Sequence, residues 1–487
     1  MSDVQNQQLM YEDSCRVTIQ VNPLLRSSTV DTFAMMLPMP SPTQLSRRPV
    51  LYLPLLLFCV VCSTYGQSTA ATDPGRTAME RGEYTAAEAV YRNALHENPR
   101  SPELLTDLGV ALQLEGRSTD AIDAFEQALK LKNLSRAYAL LAEEKCKDRD
   151  LEGARQMAAK ILAKEPLDLP NLALVAPCYL ELDEPVESVK AYSALLNDPA
   201  FPRDLVTIQL AKSYLLSAQF FSARLAAAPG STIYIQALGN ARDHASPNAR
   251  GAFAEAKRNS TYFNPDLSFL DAVHLWRQHP DDTALLYLLS VLSGEESIRQ
   301  IELCEDRFPD SFYMQQLRFE MLADQGHEDE AIHGYQHLQQ THPELPELRY
   351  GLGMVYRKQR MWNQALIEFR EQLAHDPQDE QSAARVSEAL LELTQWDNLR
   401  NFLEPWVKRK NPPLWAVLDM AEALQNLDDF ERAVQLLAAV EKNNMPNKSI
   451  HYRLLVLYKR TGNLVQAQAE NKWLQSWSSR RILYPQN

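Results

Sequence analysis

A small residue recurs every thirty-four positions along much of this 487-residue chain, and an aromatic or apolar residue follows it four places later. Ala87 is followed by Tyr91, Ala121 by Phe125, Ala331 by Tyr335, Ala365 by Phe369 and Ala433 by Leu437, and Ala467 closes the series. A fixed period of this length marks stacked helical hairpins, each too small to bury its own apolar face and dependent on its neighbours for a core. Such an array presents an extended surface rather than an enclosed pocket, which favours binding over catalysis.

The fullest copy runs from Arg349 to Pro377 and contains Leu352-Gly353, Tyr356, Ala365, Phe369 and Pro377. An earlier copy has Leu105, Leu108-Gly109, Leu112, Gly116, Ala121, Phe125 and Ala128. This pattern resembles the tetratricopeptide repeat, whose signature places Leu-Gly and Tyr on a first helix, Ala and Phe on a second, and Pro at its exit. The resemblance covers roughly Ala70 to Trp477. It implies an all-α fold, a right-handed α-solenoid of stacked helical hairpins. The physical chemistry of the positions agrees with it. Gly353 and Ala365 are small so that two helix backbones can approach to about 8–10 Å. Tyr356 and Phe369 fill the space beside that contact. Pro99, Pro343 and Pro377 stop the second helices. Gly82, Gly116, Gly326 and Gly462 fall at the turn between helices, where positive φ is cheap for glycine.

Small or apolar residues hold the alanine position at 87, 121, 154 and 188, and again at 297, 331, 365, 399, 433 and 467. Leu399 replaces alanine in one copy, with Leu403 and Trp406 keeping that helix's core face. Between Ser188 and Ser297 the beat fails, because 109 residues do not divide by the repeat length. That stretch still reads as helix over 205–216, 233–242, 251–260 and 267–278, punctuated by Pro229-Gly230, Ser246-Pro247 and Asn264-Pro265. It is expected to hold degenerate repeats or one longer hairpin. The chain therefore divides into a tail over 1–38, a leader over 39–66, an array of about four repeats over 67–200, irregular or degenerate helical repeats over 201–280, an array of about six repeats over 281–477 with its last helix as a cap, and a tail over 478–487.

The net charge is −14. Residues 1–66 balance Arg16, Arg26, Arg47 and Arg48 against Asp3, Glu12, Asp13 and Asp31, so the repeats hold the whole imbalance. An acidic array repels phosphate backbones, which argues against a nucleic-acid partner. Of six cysteines, Cys15, Cys59 and Cys62 lie at the front, and Cys146, Cys178 and Cys304 lie in the repeats at unrelated spacings. They form neither a disulfide framework nor a metal set and read as small packing residues.

Arg47-Arg48 precedes an apolar run from Val50 to Cys62, followed by small and polar residues to Gly66 and Gln67. A basic flank, a short apolar run and a small residue after it form a secretory signal. The run is shorter than the roughly 20 residues a span requires. Cleavage after Gly66 fits. The long upstream segment fits either an over-extended start, with Met36 or Met39 opening an ordinary leader, or a tail on an uncleaved anchor over 50–66. Val61 makes lipidation at Cys62 a poor alternative. Each route puts the repeats outside the cytoplasm, in a periplasmic or secreted location, with membrane contact only through this segment. The chain thus resembles exported bacterial tetratricopeptide proteins that organise envelope complexes.

The sequence carries no phosphate-binding glycine loop, nucleophile elbow or zinc-protease motif. His327, His333, His337 and His342 cluster, and Asp329, His333 and His337 share one helical stripe. Ala331, Tyr335 and Leu338 define the buried face of that helix, which turns His333 to solvent, so the stripe reads as an exposed face. No metal or other cofactor is expected. Trp473 and Trp477 are expected to cap the final repeat, with Arg480-Arg481 suiting the negative end of that helix.

By analogy with the family, first helices line a concave groove and second helices form the outer face. The groove candidates are Tyr313, Gln316 and Glu320; Glu347, Tyr350, Met354 and Arg357; Arg385 and Glu388; Trp415, Asp419 and Glu422; and Tyr452, Arg453 and Lys459. Aromatic and arginine side chains of this kind carry binding energy at interfaces. The family's carboxylate-gripping lysines, asparagines and arginines are not reproduced, since Arg385 alone matches. The expected function is a non-enzymatic scaffold holding a protein or peptide. The alternative is an accessory subunit or enzyme acting on envelope polymers, with a pocket within 218–278.

Overall fold

The computed structural model describes residues 73–483 apart from 148–149, 240–246, 344, 346, 378, 410–411 and 444–447. The expectations for the leader, for Cys15, Cys59 and Cys62 and for residues 484–487 lie outside the described residues, as do the side chains of Trp477, Arg480 and Arg481. Among the described residues there are 23 helices and no strand. No helix among them is long and apolar enough to cross a membrane. The chain forms two compact units, divided between Gly334 and Tyr335.

The first unit opens with four hairpins: α1 (Pro74–Glu80) with α2 (Tyr84–Glu97), α3 (Pro102–Leu114) with α4 (Ser118–Leu131), α5 (Ser135–Lys147) with α6 (Leu151–Leu162), and α7 (Leu169–Glu181) with α8 (Pro185–Leu195). Each hairpin also packs on the next. Then come α9 (Arg203–Ala227), α10 (Thr232–Gly239), α11 (Pro247–Asn259), α12 (Phe269–Gln278), α13 (Thr283–Arg307) and α14 (Phe312–Asp324). The division falls within α15 (Glu328–Thr341). In the second unit α16 (Glu347–Lys358) pairs with α17 (Trp362–His375), α18 (Glu380–Glu392) with α19 (Trp396–Val407), α20 (Leu414–Asn426) with α21 (Phe430–Asn443), and α22 (Lys448–Arg460) with α23 (Leu464–Leu483).

All ten positions of the beat are buried, from 0% exposure at Ala87 to 4% at Ala467. The residues four places on are buried with them at Tyr91, Phe125, Ile301, Tyr335, Phe369, Leu403 and Leu437, while Asn471, four after Ala467, is exposed. One detail differs from the sequence reading. The glycines of the first helices make room for an aromatic ring, and not only for a neighbouring backbone. A Cβ at Gly353 would lie 2.6 Å from Phe369 Cε1, and one at Gly351 would lie 2.6 Å from Tyr335 Cε1. So α16 receives a ring from α17 at one glycine and a ring from α15 at the other. Gly75 faces Tyr91 and Gly109 faces Phe125 at the same sixteen-residue offset.

The turn between paired helices is also periodic. Residues with φ between 53° and 87° occur at Gly82, Gly116, Asp183, Gly326, Arg360, Thr394, Asp428 and Gly462. The next residue donates its N–H to a carbonyl five residues back, as in Gln395 to Leu390 at 3.0 Å and Glu83 to Ala78 at 2.9 Å. This is a Schellman closure, which satisfies helix-end carbonyls that would otherwise be orphaned. The hydrogen bonding fixes the conformation so firmly that non-glycine residues are carried there too. The prolines behave as expected: Pro99, Pro343 and Pro377 follow the ends of α2, α15 and α17.

Between Ser188 and Ser297 the structure resolves the lost beat. α9 and α13, each 25 residues long, pack along one another. No glycine or proline interrupts α9 before Pro229-Gly230, so the helix continues past the length of an ordinary first helix. Its partner, the second half of α13, comes from far down the chain. Ser297 Oγ donates to the Ala211 carbonyl at 2.9 Å, and Cys304 Sγ lies 3.7 Å from the Asp204 carbonyl. Small residues let the two helices approach, with Ser222 Oγ donating to Ser290 Oγ at 3.1 Å. The distal halves of α9 and α13, with α10 to α12, form an insertion within one hairpin. Its interior is aromatic: Tyr234 lies 5.2 Å from Tyr287 and Phe221 5.1 Å from Trp276, centroid to centroid.

Two substitutions test this account of the repeat. Gly353→Ala is expected to lower stability by about 1–2 kcal/mol, because overpacking of a core costs about 1–3 kcal/mol and exceeds the helix-propensity gain of roughly 1 kcal/mol. An unchanged urea midpoint would show that Phe369 yields freely. Thr394 holds a φ of 53° with a β-branched side chain. A left-handed conformation costs such a residue about 1–2 kcal/mol, and glycine returns roughly 0.5–1 kcal/mol of that as unfolded-state entropy. Thr394→Gly is therefore expected to stabilise by about 0.5–1 kcal/mol in the same measurement, whereas destabilisation would mean that the turn carries no strain.

Candidate functional site

In the second unit the first helices stand side by side, and polar side chains join each to the next. Arg357 of α16 donates Nε to Glu388 Oε2 at 2.9 Å and Nη2 to Glu388 Oε1 at 2.6 Å, a two-pronged bond to α18. Arg385 of α18 donates Nη1 to the same carboxylate. Ser387 of α18 donates to Asp419 Oδ2 of α20 at 2.8 Å, and Trp415 Nε1 of α20 donates to Glu380 Oε1 at 2.9 Å. Arg453 Nη2 of α22 donates to Glu422 Oε2 of α20 at 2.8 Å. These partners are 31 to 35 residues apart in sequence, close to one repeat, because equivalent positions on successive first helices are neighbours.

The second unit's candidates with described side chains thus fall into three groups. Arg357, Arg385, Glu388, Trp415, Asp419, Glu422 and Arg453 are engaged in this ladder. Tyr350 and Met354 are half-buried beside it. Tyr350 lies 5.6 Å from the Phe369 ring, and burial pushes its hydroxyl up to about 12 against the opposing charge of Arg385. Tyr452 and Lys459 are exposed. Glu347 opens α16, and its side chain lies outside the described residues.

In the first unit, Tyr313 is half-buried against Phe312, with ring centroids 5.0 Å apart. Gln316 is 3% exposed and its Nε2 reaches Glu320 Oε1 at 3.5 Å. The Glu320 carboxylate lies 4.0 Å from Lys212 Nζ of α9. Gln316 therefore faces the core rather than a groove. The cause is the register of this hairpin, which sets α9 against α14.

Sequence reasoning missed Glu380 and Ser387, which complete the ladder. The signal was present: an acid and a donor offset by about one repeat on successive first helices. Elsewhere the surface agrees with the reading. His333 and His337 are exposed while Ala331, Tyr335 and Leu338 are buried. Trp473 stacks on His451 at 3.5 Å, centroid to centroid, so the last helix covers α22 through this ring. Cys146, Cys178 and Cys304 are buried and free.

The ladder makes stability pH-dependent. Burial disfavours the charged form of Glu388, but the Arg357 hydrogen bonds and the charges of Arg385 and Arg357 outweigh it and hold the carboxyl below its ordinary value. A depressed carboxyl contributes stability above its unfolded value of about 4.3 and loses it as pH falls through the folded value. Glu388→Gln is expected to lower the unfolding midpoint at neutral pH and to flatten its decline below about pH 4.3. Identical pH profiles for the two proteins would refute a role for this carboxylate.

The profile described as "Tetratricopeptide repeat" matches residues 73–136 and 418–480. No curated protein matches the chain. Among solved structures, the chain is similar to the APC/C hetero-tetramer Cut9–Hcn1, at 14% identity over 85% of this chain and 96% of that one, with a TM-score of 0.27. It is also similar to yeast Tom70, at 12% identity over 88% and 98%, with a TM-score of 0.29. The human IFIT1 dimer with m7Gppp-AAAA is similar at 14% identity over 78% and 90%, with a TM-score of 0.27. The two matched stretches span α1 to α4 and most of α20 to α23, so the similarity to the tetratricopeptide repeat lies at the two ends of the described residues.

Proposed function

We propose that the protein is a non-enzymatic interaction scaffold that holds a protein or peptide against the first helices of its repeats. The observation that carries this reading is the continuous polar and aromatic face that α16, α18, α20 and α22 build by bonding sideways to one another. A face fixed by its own ladder is preorganised, so a partner meets side chains that have already lost their rotamer freedom. The aromatic interior of the α9–α13 insertion supports a structural role for that stretch and weighs against an enzyme pocket within 218–278. The acidic net charge of −14 weighs against nucleic acid as the partner.

The proposed location is outside the cytoplasm, periplasmic or secreted, on the strength of the basic and apolar leader over 39–66. In this reading the chain belongs with exported scaffolds of the cell envelope, either released after cleavage or held by residues 50–66. Proximity labelling with the full chain, combined with N-terminal sequencing of the mature protein, tests both parts. Specific protein neighbours in the exported fraction and a new N-terminus near Gln67 are expected. A cytoplasmic, uncleaved chain would overturn the location, and recovery of a bound small molecule with no protein neighbour would overturn the scaffold.

A further inference from the structure

Most of the second unit's polar groove candidates are engaged in holding its own helices together, and among the described ones Tyr452 and Lys459 of α22 are exposed. Both flanks of this helix are engaged. Arg453 reaches sideways to Glu422 of α20. On the other flank His451, 4% exposed, meets Glu470 through Nδ1 at 2.7 Å and stacks on Trp473. With about 100° of rotation per residue, Tyr452 points outward between these flanks, and it is 56% exposed. Lys448, four residues before it, and Lys459, seven after it, lie on the same stripe of the helix. Both are exposed, and neither has an ion-pair partner among the described residues.

We propose that the Lys448–Tyr452–Lys459 stripe docks an extended polypeptide segment in which two acidic side chains straddle an apolar one. The inference rests on the scaffold reading above and names the chemistry of its partner. The spacing sets the pattern. At 1.5 Å per residue the lysines are about 16 Å apart along the helix, with Tyr452 about 6 Å from Lys448. An extended chain advancing about 3.3 Å per residue covers that length in about five residues, with the apolar side chain about two positions from one acid. An exposed ion pair contributes only about 0–1 kcal/mol, so covering the Tyr452 ring supplies much of the affinity and the lysines fix register and selectivity. A long polyanion is a poor fit, because two ammonium groups must overcome the repulsion of a chain with net charge −14. A membrane surface is a poor fit as well, because the stripe offers one ring where an interfacial helix needs a broad apolar face.

The test is selection from a random-peptide phage library on the immobilised full chain, with enriched peptides then titrated against wild type, K448E/K459E and Y452A. Circular dichroism and the thermal midpoint confirm that the exposed substitutions leave the fold intact. Enriched peptides should carry two acids four to six positions apart around an apolar residue. Their affinity should fall about tenfold in K448E/K459E, fall also in Y452A, and weaken with added salt. Peptides without acids, or peptides indifferent to K448E/K459E, would overturn the proposal. If such peptides instead lose binding in R357A, the scaffold reading stands and this inference alone fails. A peptide-negative result with Lys448- and Lys459-dependent binding of polyuridylate or of phosphatidylserine vesicles would replace it with a different partner. Absence of any enrichment would remove both readings.

Discussion

The fold depends on one close contact made repeatedly: a small residue on one helix beneath a ring or branched side chain from its partner. At Gly353 the ring of Phe369 occupies the space a Cβ would take, and Ala365 is fully buried one turn before that ring. The contact cannot be loosened without leaving a void or tightened without a clash, since protein interiors are close-packed. Everything else follows from this spacing. It sets the distance between paired helices, and the Schellman turn at the next periodic position sets their connection. Those two constraints bring successive first helices near enough for Arg357, Ser387 and Arg453 to reach across.

Much of this was legible in the sequence because buried positions in a repeat are chosen for size, and size is visible in the residue type. The beat at 87, 121, 154, 188, 297, 331, 365, 399, 433 and 467 identified buried positions without exception, including the serines and Leu399. The turn was harder to read. Gly82 and Gly326 announce it, but Asp183, Arg360, Thr394 and Asp428 hold the same conformation without a glycine to signal it. Their backbone is set by hydrogen bonds to the preceding helix, which no single residue encodes.

The groove was the least legible part, and the reason is instructive. Arginine, tryptophan and acidic residues on an inner face read as binding groups because they are costly to leave unpaired and favourable at interfaces. The same properties let them bind each other. Arg357 and Glu388 are each other's partners one repeat apart, so residue type alone could not say whether the pair serves a ligand or the array. Gln316 went the other way and turned inward, because its neighbour α9 belongs to a hairpin whose second helix lies much further along the chain. Reading the face correctly requires knowing which helices are adjacent, and that information is tertiary.

The α9–α13 insertion has a consequence for how this array comes together. In every other hairpin the partners are joined by a short turn, so each can form locally and add to its neighbour. Here the contacts that close the hairpin join residues 86 and 100 positions apart. The chain leaves the repeat along α9, adds an aromatic cluster continuous with the core of α5 to α8, and returns along α13. Closing this hairpin brings together residues across the whole intervening segment, so the loop-closure entropy is larger here than at a short turn. The hairpins preceding it can propagate without waiting for it. Among the described residues of the first unit, the longest-range helix pairing thus falls at this one hairpin.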